Sequence, residues 1–315
     1  MPIRITNSMM VNRAIYNQAK NLQNMSKYNE DLNSMKRIHK PSDDPIMTSR
    51  SLKLSSDIIE NEQFKRNADA ARTWLERTES SLAEITNVLQ RSRELANQGA
   101  NGILGADDKQ KIGSEIDQLT KHLVNIGNDT YMGRYIFSGF KTDKEFMNAE
   151  GKITADMDVT KLNDERIEYK LGISQNLPVN FTGLEVFGKE KAKTDADGNP
   201  VITGKPDMIN MMEDLKKKLD LGDSKGVSNI LSEIDSHMNN IASLKGNIGA
   251  KINMMDTMED RMDEMGINFK SLLSKAEDTD AAEAYMKLNA YESVYKASLA
   301  ISAKIIQPTL IDFIR

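Results

Sequence analysis

The chain has 315 residues, 39% hydrophobic and 28% charged, with a formal net charge of −5 and a pI near 5.5. That length allows about two domains, and the acidic balance gives the chain as a whole no electrostatic footprint for nucleic acid or an anionic membrane. Cysteine is absent, which excludes disulfides, thiolate metal sites and a cysteine nucleophile; no run of about 18 apolar residues offers a membrane span, and no apolar Sec signal core follows Met1.

Residues 1–40 carry Arg4, Arg13, Lys20, Lys27, Lys36, Arg37 and Lys40 against only Glu30 and Asp31. Their apolar positions, among them Ile5, Met9, Ile15, Leu22, Met25 and Leu32, step at near-helical intervals but are interrupted by Asn, so this helix is weak without a partner. The Asn content and the continuing helical pattern favour a retained segment over an organellar presequence. Pro41-Ser-Asp-Asp-Pro45 breaks the helix and starts a new one over about Ile46–Asn97, capped by Ser42, Asp43 or Asp44. In it Ala68, Leu75, Leu82, Leu89 and Ala96 recur at seven, beside a second row of Phe64, Ala71, Thr78, Ile85 and Ser92.

Gly99–Gly102 and Gly105–Asp108 are punctuation, after which Ile112, Ile116, Leu119, Leu123 and Ile126 predict a third helix ending at Gly127. From Tyr131 to about Gly204 the pattern changes to Gly-bounded runs, Arg166–Leu171 and Leu177–Gly183, that read as strands of an inserted β-rich domain. A short helix over Met208–Leu221 leads into the longest apolar seam: Val227, Ile234, Ile241, Ile248, Met255, Met262, Phe269 and Ala276, with Ile230, His237, Leu244, Lys251, Met258, Met265 and Leu272 beside it. At 1.5 Å per residue this helix is roughly 75 Å long, and its 3.5-residue period predicts a left-handed supercoil against the earlier seam. Asp278–Glu283 marks a break, with Asp280 and Glu283 at capping-box spacing. The last helix has Leu288, Tyr291, Tyr295, Leu299 and Ile306 on one line and Val294, Ala297, Ile301 and Ile305 on a neighbouring one, more apolar circumference than a single intramolecular partner covers.

The reading is therefore mainly α with a β-rich insert, a long antiparallel helical bundle or coiled coil built from N- and C-terminal segments. Its expected division is 1–40 with 285–315 as terminal helical assembly segments, disordered in the monomer; 41–140 with 205–284 as a helical rod domain; and 141–204 as a β-rich outer domain. The expected assembly interface is Ile5, Met9, Ile15, Leu22, Met25 and Leu32 together with Leu288, Tyr291, Val294, Tyr295, Leu299, Ile301, Ile305, Ile306, Leu310 and Phe313. The expected rod core is Leu75, Leu82, Ile85, Leu89, Ile234, Ile241, Leu244, Ile248, Met255, Met262 and Phe269.

Catalytic signatures are weak. Asp43-Asp44 and Asp107-Asp108 are adjacent carboxylates, but both lie at helix starts, where capping accounts for them better than acid–base work or a divalent cation. Asp195-Ala-Asp-Gly-Asn199 opens like a calcium loop, lacks the bidentate Glu that would close it, and reads better as a hairpin turn. His39, His122 and His237 have no ligand spacing; His237 and Lys251 sit on the seam, where a polar residue fixes register or snorkels. Neither a phosphate loop nor a Gly-x-Ser-x-Gly elbow is present, so no catalytic, cofactor or metal residue is assigned.

Several strings carry a resemblance: Arg4-Ile-Thr-Asn-Ser-Met-Met10, His39-Lys-Pro-Ser-Asp-Asp-Pro45, Asn128-Asp-Thr-Tyr-Met-Gly-Arg-Tyr-Ile-Phe-Ser-Gly-Phe140 and Val179-Asn-Phe-Thr-Gly-Leu-Glu-Val-Phe-Gly188. Asn247-Ile-Gly-Ala-Lys-Ile-Asn253, Tyr295-Lys-Ala-Ser-Leu-Ala300 and Ile306-Gln-Pro-Thr-Leu-Ile-Asp-Phe-Ile314 continue it. In this order and spacing the chain resembles the bacterial flagellin superfamily, and within it the hook-associated branch at the hook–filament junction rather than filament flagellin, on the Gly-Arg-Tyr-Ile-Phe-Ser-Gly stretch; Pro308 is a small departure. The resemblance implies a structural subunit, extracellular in the flagellum and exported by the type III apparatus without a Sec signal. It implies a homo-oligomer in a ring or helical layer, meeting a hook-side hook-associated protein, flagellin and an export chaperone, with no nucleic acid, no membrane insertion and no cofactor. A signalling or binding coiled-coil rod is the reading from another class; it leaves the insert and the apolar last helix without a role.

Overall fold

The structure is a computed structural model and describes residues 7–100, 105–154, 162, 165–189, 193–194, 200–201 and 204–305. Its helices in chain order are α1 (Asn7–Ser34), α2 (Pro45–Ala100), α3 (Ala106–Gly127), α4 (Gly183–Phe187), α5 (Asp207–Asp220), α6 (Ser224–Glu277) and α7 (Ala281–Ile305). Three antiparallel pairs of short strands lie between α3 and α5: β1 (Thr130–Tyr131) with β2 (Arg134–Tyr135), β3 (Glu168–Gly172) with β4 (Gln175–Pro178), and β5 (Lys193–Thr194) with β6 (Pro200–Val201).

The chain forms two compact units, residues 1–60 with 264–315 and residues 61–263. This division differs from the one expected from composition. The insert is not a compact unit by itself, because Phe137, Phe146, Leu171, Val179 and Phe187 share one core with Leu82 of α2, Leu123 of α3, Leu215 of α5 and Ile241 of α6.

In the 61–263 unit α2 and α6 run antiparallel. Asn61 Nδ2 donates to Met262 O at 2.8 Å, Arg72 pairs with Asp256 at 2.6 Å and Arg93 with Asp235 at 2.7 Å, so one helix descends as the other climbs. Between them lie Leu75, Leu82, Ile85 and Leu89 from α2 and Ile234, Ile241, Ile248, Met255 and Met262 from α6, all buried, with Leu244 partly buried. The polar seam residues are satisfied inside their own helix: Thr78 Oγ1 donates to Trp74 O at 2.9 Å and Ser92 Oγ to Val88 O at 2.8 Å. In the other unit the α6 seam is thinly covered: Phe269 is only partly buried, and Met265 and Leu272 of the second row are exposed.

α3 packs along α5. The insert is held by contacts from both long helices rather than by long strands. Asp129, ahead of β1, accepts from Arg77 at 2.6 Å and from the Ser81 hydroxyl at 2.6 Å, and Tyr131 stands edge-on to Trp74 at 6.1 Å. The turn between β1 and β2 has Met132 and Gly133 at φ +50° and +76°, the two positive values of a type I′ hairpin. The strand expected over Leu177–Gly183 ends at Pro178. Beyond it Asn180 accepts Ile167 N–H at 2.8 Å and donates to Glu165 O at 2.8 Å, and Gly183 begins α4. Thr182 N–H donates to Glu185 Oε2 at 3.2 Å, a capping contact that overrides the local β propensity of Val179 and Phe181. The expected turn Asp195–Asn199 lies outside the described residues; β5 and β6 on either side of it pair antiparallel.

Candidate assembly surface

α1 and α7 lie side by side and antiparallel, Tyr28 stacking on Tyr291 at 5.6 Å with the rings 17° apart. Lys287 Nζ sits 5.6 Å from the centre of the Tyr28 ring and pairs with Glu283 one turn earlier at 2.6 Å. α7 starts where expected: Asp280 Oδ1 accepts Ala282 N–H at 2.9 Å and Glu283 N–H at 3.2 Å.

A joint ties the ends of this pair to α2 and α6. Lys36 bridges to Asp278, Arg37 N–H donates to Glu277 O at 2.7 Å and Thr279 N–H to Met35 O at 3.0 Å. The Glu277 carboxylate accepts Lys36 Nζ at 2.7 Å and the Ser51 hydroxyl. His39 Nε2 lies 2.8 Å from Asp31 Oδ1, whose side chain is buried. Asp44 caps α2 through Met47 N–H at 3.0 Å. Its neighbour Asp43 closes the preceding turn instead, and its bonds from the Lys40 and His39 N–H groups hold its carboxyl below the usual range. Asp107 and Asp108 do not cap α3: Gly105 occupies the cap position, and the two carboxylates stand in the first turn, favourably placed for the helix dipole.

The hydrogen bond from the Lys36 ammonium, then that from the Ser51 hydroxyl, hold the Glu277 carboxyl below the usual carboxylate range, with the Lys36 charge adding to them, and Glu277 in turn raises Lys36. A carboxyl depressed by folding adds stability that is complete above its unfolded pKa, about 4.3, and is lost as pH falls through the lower folded value. We expect Glu277→Gln to lower the melting temperature at pH 7 and to leave less difference from the parent at pH 3. Melting curves of both proteins across that range check it.

The expected interface residues divide into two sets. Met25 and Leu32 on α1 and Leu288, Tyr291 and Tyr295 on α7 are half-buried, whereas Met9, Ile15, Leu22, Val294, Leu299 and Ile301 are exposed. Met10, Tyr16, Tyr285 and Met286 add to the open apolar area. Of these, Met286 falls off the heptad lines, whereas Tyr285 stands two heptads ahead of Leu299. Ile5, Ile306, Leu310 and Phe313 lie outside the described residues, as does the Ile305 side chain. The exposed side chains leave an open apolar area on both helices.

In the other unit the seam's polar residues hold the insert and α5. His237 Nε2 lies 3.4 Å from Asp207 Oδ2 in the first turn of α5. Lys251 Nζ donates to Pro178 O at 2.7 Å and rests 4.6 Å from the centre of the Phe181 ring; burial, then Arg166, lowers its pKa. Asn240 donates to Glu185 O at 2.8 Å, and Arg166 forks onto the Glu185 carboxylate, with one contact at 2.9 Å. The sequence offered no periodic signal for Asp129, Arg166, Asn180 or Glu185. His122 is exposed on α3, and among the described residues no three His, Cys, Asp or Glu group to hold a metal ion.

The profile of the bacterial flagellin N-terminal helical region matches residues 5–142, and that of the C-terminal helical region matches residues 231–314. The chain is similar to flagellar hook-associated protein 3 of Escherichia coli, 24% identical over 94% of this chain and 96% of that protein. Its fold is similar to that of a flagellar hook-associated protein from Vibrio parahaemolyticus (TM-score 0.63, 21% identity, 75% of this chain and 100% of that one). It is also similar to FlgL of Bacillus cereus (TM-score 0.56, 20% identity, 70% and 99%).

Proposed function

The chain belongs to the bacterial flagellin family, and we propose that it is the structural subunit joining hook and filament, a template between a hook-side hook-associated protein and flagellin. The observation that carries this reading is the α1–α7 pair, which brings 7–34 and 281–305 together and leaves Ile15, Leu22, Val294, Leu299 and Ile301 open. Similarity to hook-associated relatives over nearly the whole length supports the junction role.

The mechanism is mechanical, without catalysis. Copies of the chain cover one another's open apolar lines in a ring or helical layer outside the cell. The terminal helices are weak alone, so they order fully only when neighbours cover them, and assembly waits for a template. Export runs through the flagellar type III apparatus with a chaperone covering the same apolar lines. Among the described residues no helix is long and apolar enough to cross a membrane.

Deleting residues 285–315 is expected to give secreted but unincorporated protein, and cells that carry hooks and shed flagellin. Normal filaments in that strain overturn the junction role. In the dilute monomer, amide exchange is expected to be fast in 7–34 and 281–305 and slow in the α2–α6 seam of the 61–263 unit. Equal protection in all three contradicts assembly-coupled ordering.

A further inference from the structure

We infer that the outward face of α1 is a ladder of cations that docks on a carboxylate row of α2 in a second copy of this chain. The inference rests on the reading above that copies assemble, and names one of their contacts.

Arg13, Lys20 and Lys27 follow one another at seven residues and so line one side of α1, about 10.5 Å apart. All three are exposed, on the side away from Ala14, Met25 and Leu32, which turn toward α7. Among the described residues none of the three forms an ion pair or hydrogen bond, although Asp43 feels the charge of Lys27, whereas Lys36, Lys65, Arg72 and Arg93 each hold a carboxylate. The acids of α1 lie only at its far end, Glu30 and Asp31, and Asp31 is taken by His39.

On α2, Asp69 and Glu76 are exposed at the same seven-residue interval. Beside that row Lys65 pairs with Asp263 at 2.6 Å, feeling Asp69 only as a weaker charge, and Arg66 bonds Gln63 at 2.8 Å. Two helices that present opposite charges at one spacing match rung for rung. A membrane fits this face poorly, because Ile15 and Leu22 point to another side of α1, and only Met9 and Tyr16 share the cationic one. A contact between two different patches of identical chains is heterologous and propagates into rings or helical arrays.

The chain has no cysteine, so the contact is tested directly. A tagged Lys20→Cys chain and an untagged Asp69→Cys chain are co-expressed and the assembled flagella are oxidised. The expected result is a mixed disulfide dimer, which only two different copies can form; its absence from assembled material overturns the inference. In parallel, reversing Arg13, Lys20 and Lys27 to Glu, or Asp69 and Glu76 to Lys, is expected to lower incorporation about tenfold, because like charges then face each other. Combining the two sets restores it. These exposed reversals leave the melting temperature near that of the parent. If the α1 set impairs incorporation while the α2 set does not, the ladder meets another partner and the inference falls. Filaments that stay normal when the whole chain is removed defeat the junction reading instead, a separate result from the cross-link.

Discussion

Ile241→Asp is expected to remove the cooperative melting transition of the 61–263 unit at neutral pH, a loss above about 4 kcal/mol. Ile241 is fully buried at the centre of the α6 seam, facing the α2 residues that complete the core. A carboxylate there takes the place of a fully buried apolar side chain and gives up its hydration. Burial penalises its charged form, so its pKa rises on folding and the penalty is largest above that raised value. The defect relative to the parent therefore shrinks as pH falls toward 4. Ile241→Val, which removes one methyl group, costs only about 0.5–1.5 kcal/mol. Calorimetry of the three proteins at pH 7 and 4 checks it; a parent-like transition for the aspartate variant at pH 7 contradicts a dry seam at this position.

Gly183→Ala is expected to destabilise the same unit by about 1–3 kcal/mol, through overpacking rather than backbone strain. A methyl on Gly183 meets Cε1 and Cζ of Phe146 at 2.4 Å and Cε2 at 2.6 Å. That ring has nowhere to retreat, because Phe146 is fully buried and lies 6.0 Å from Phe187, itself fully buried and 6.0 Å from Phe137. The backbone is held as well, since Gly183 N–H donates to Phe137 O at 2.8 Å. For a unit of this size the melting temperature falls by about 2–4 °C per kcal/mol. Phe146→Leu destabilises on its own but makes room, so the double variant is more stable than the sum of the two singles by at least about 0.5 kcal/mol. Strict additivity in a double-mutant cycle removes the steric account.

The long helices were legible because heptad spacing is a local property that only one backbone geometry satisfies. The seam from Val227 to Ala276 lies within α6, Ser224–Glu277, and Asp280 caps α7 where its spacing placed it. The insert was legible only as a change of pattern. Its strands are two to five residues long, and their ends are set by side chains arriving from distant helices, as with Arg77 on Asp129 and Lys251 on Pro178. The five residues of α4 are shorter than two helical turns and carry no period to detect.

By itself the sequence determined the mainly helical class, the placement of α2, α6 and α7 and the excess of apolar surface at the chain's ends, since each follows from residue spacing within one segment. Only the tertiary structure decided that Asn61 faces Met262, that the insert shares a core with α2 and α6, and which terminal residues α1 and α7 cover for each other. Those outcomes depend on how segments two hundred residues apart slide and rotate against one another. An apolar repeat is nearly the same at every seven-residue shift, so unique contacts such as Arg72 on Asp256 and Lys36 on Glu277 have to select the register.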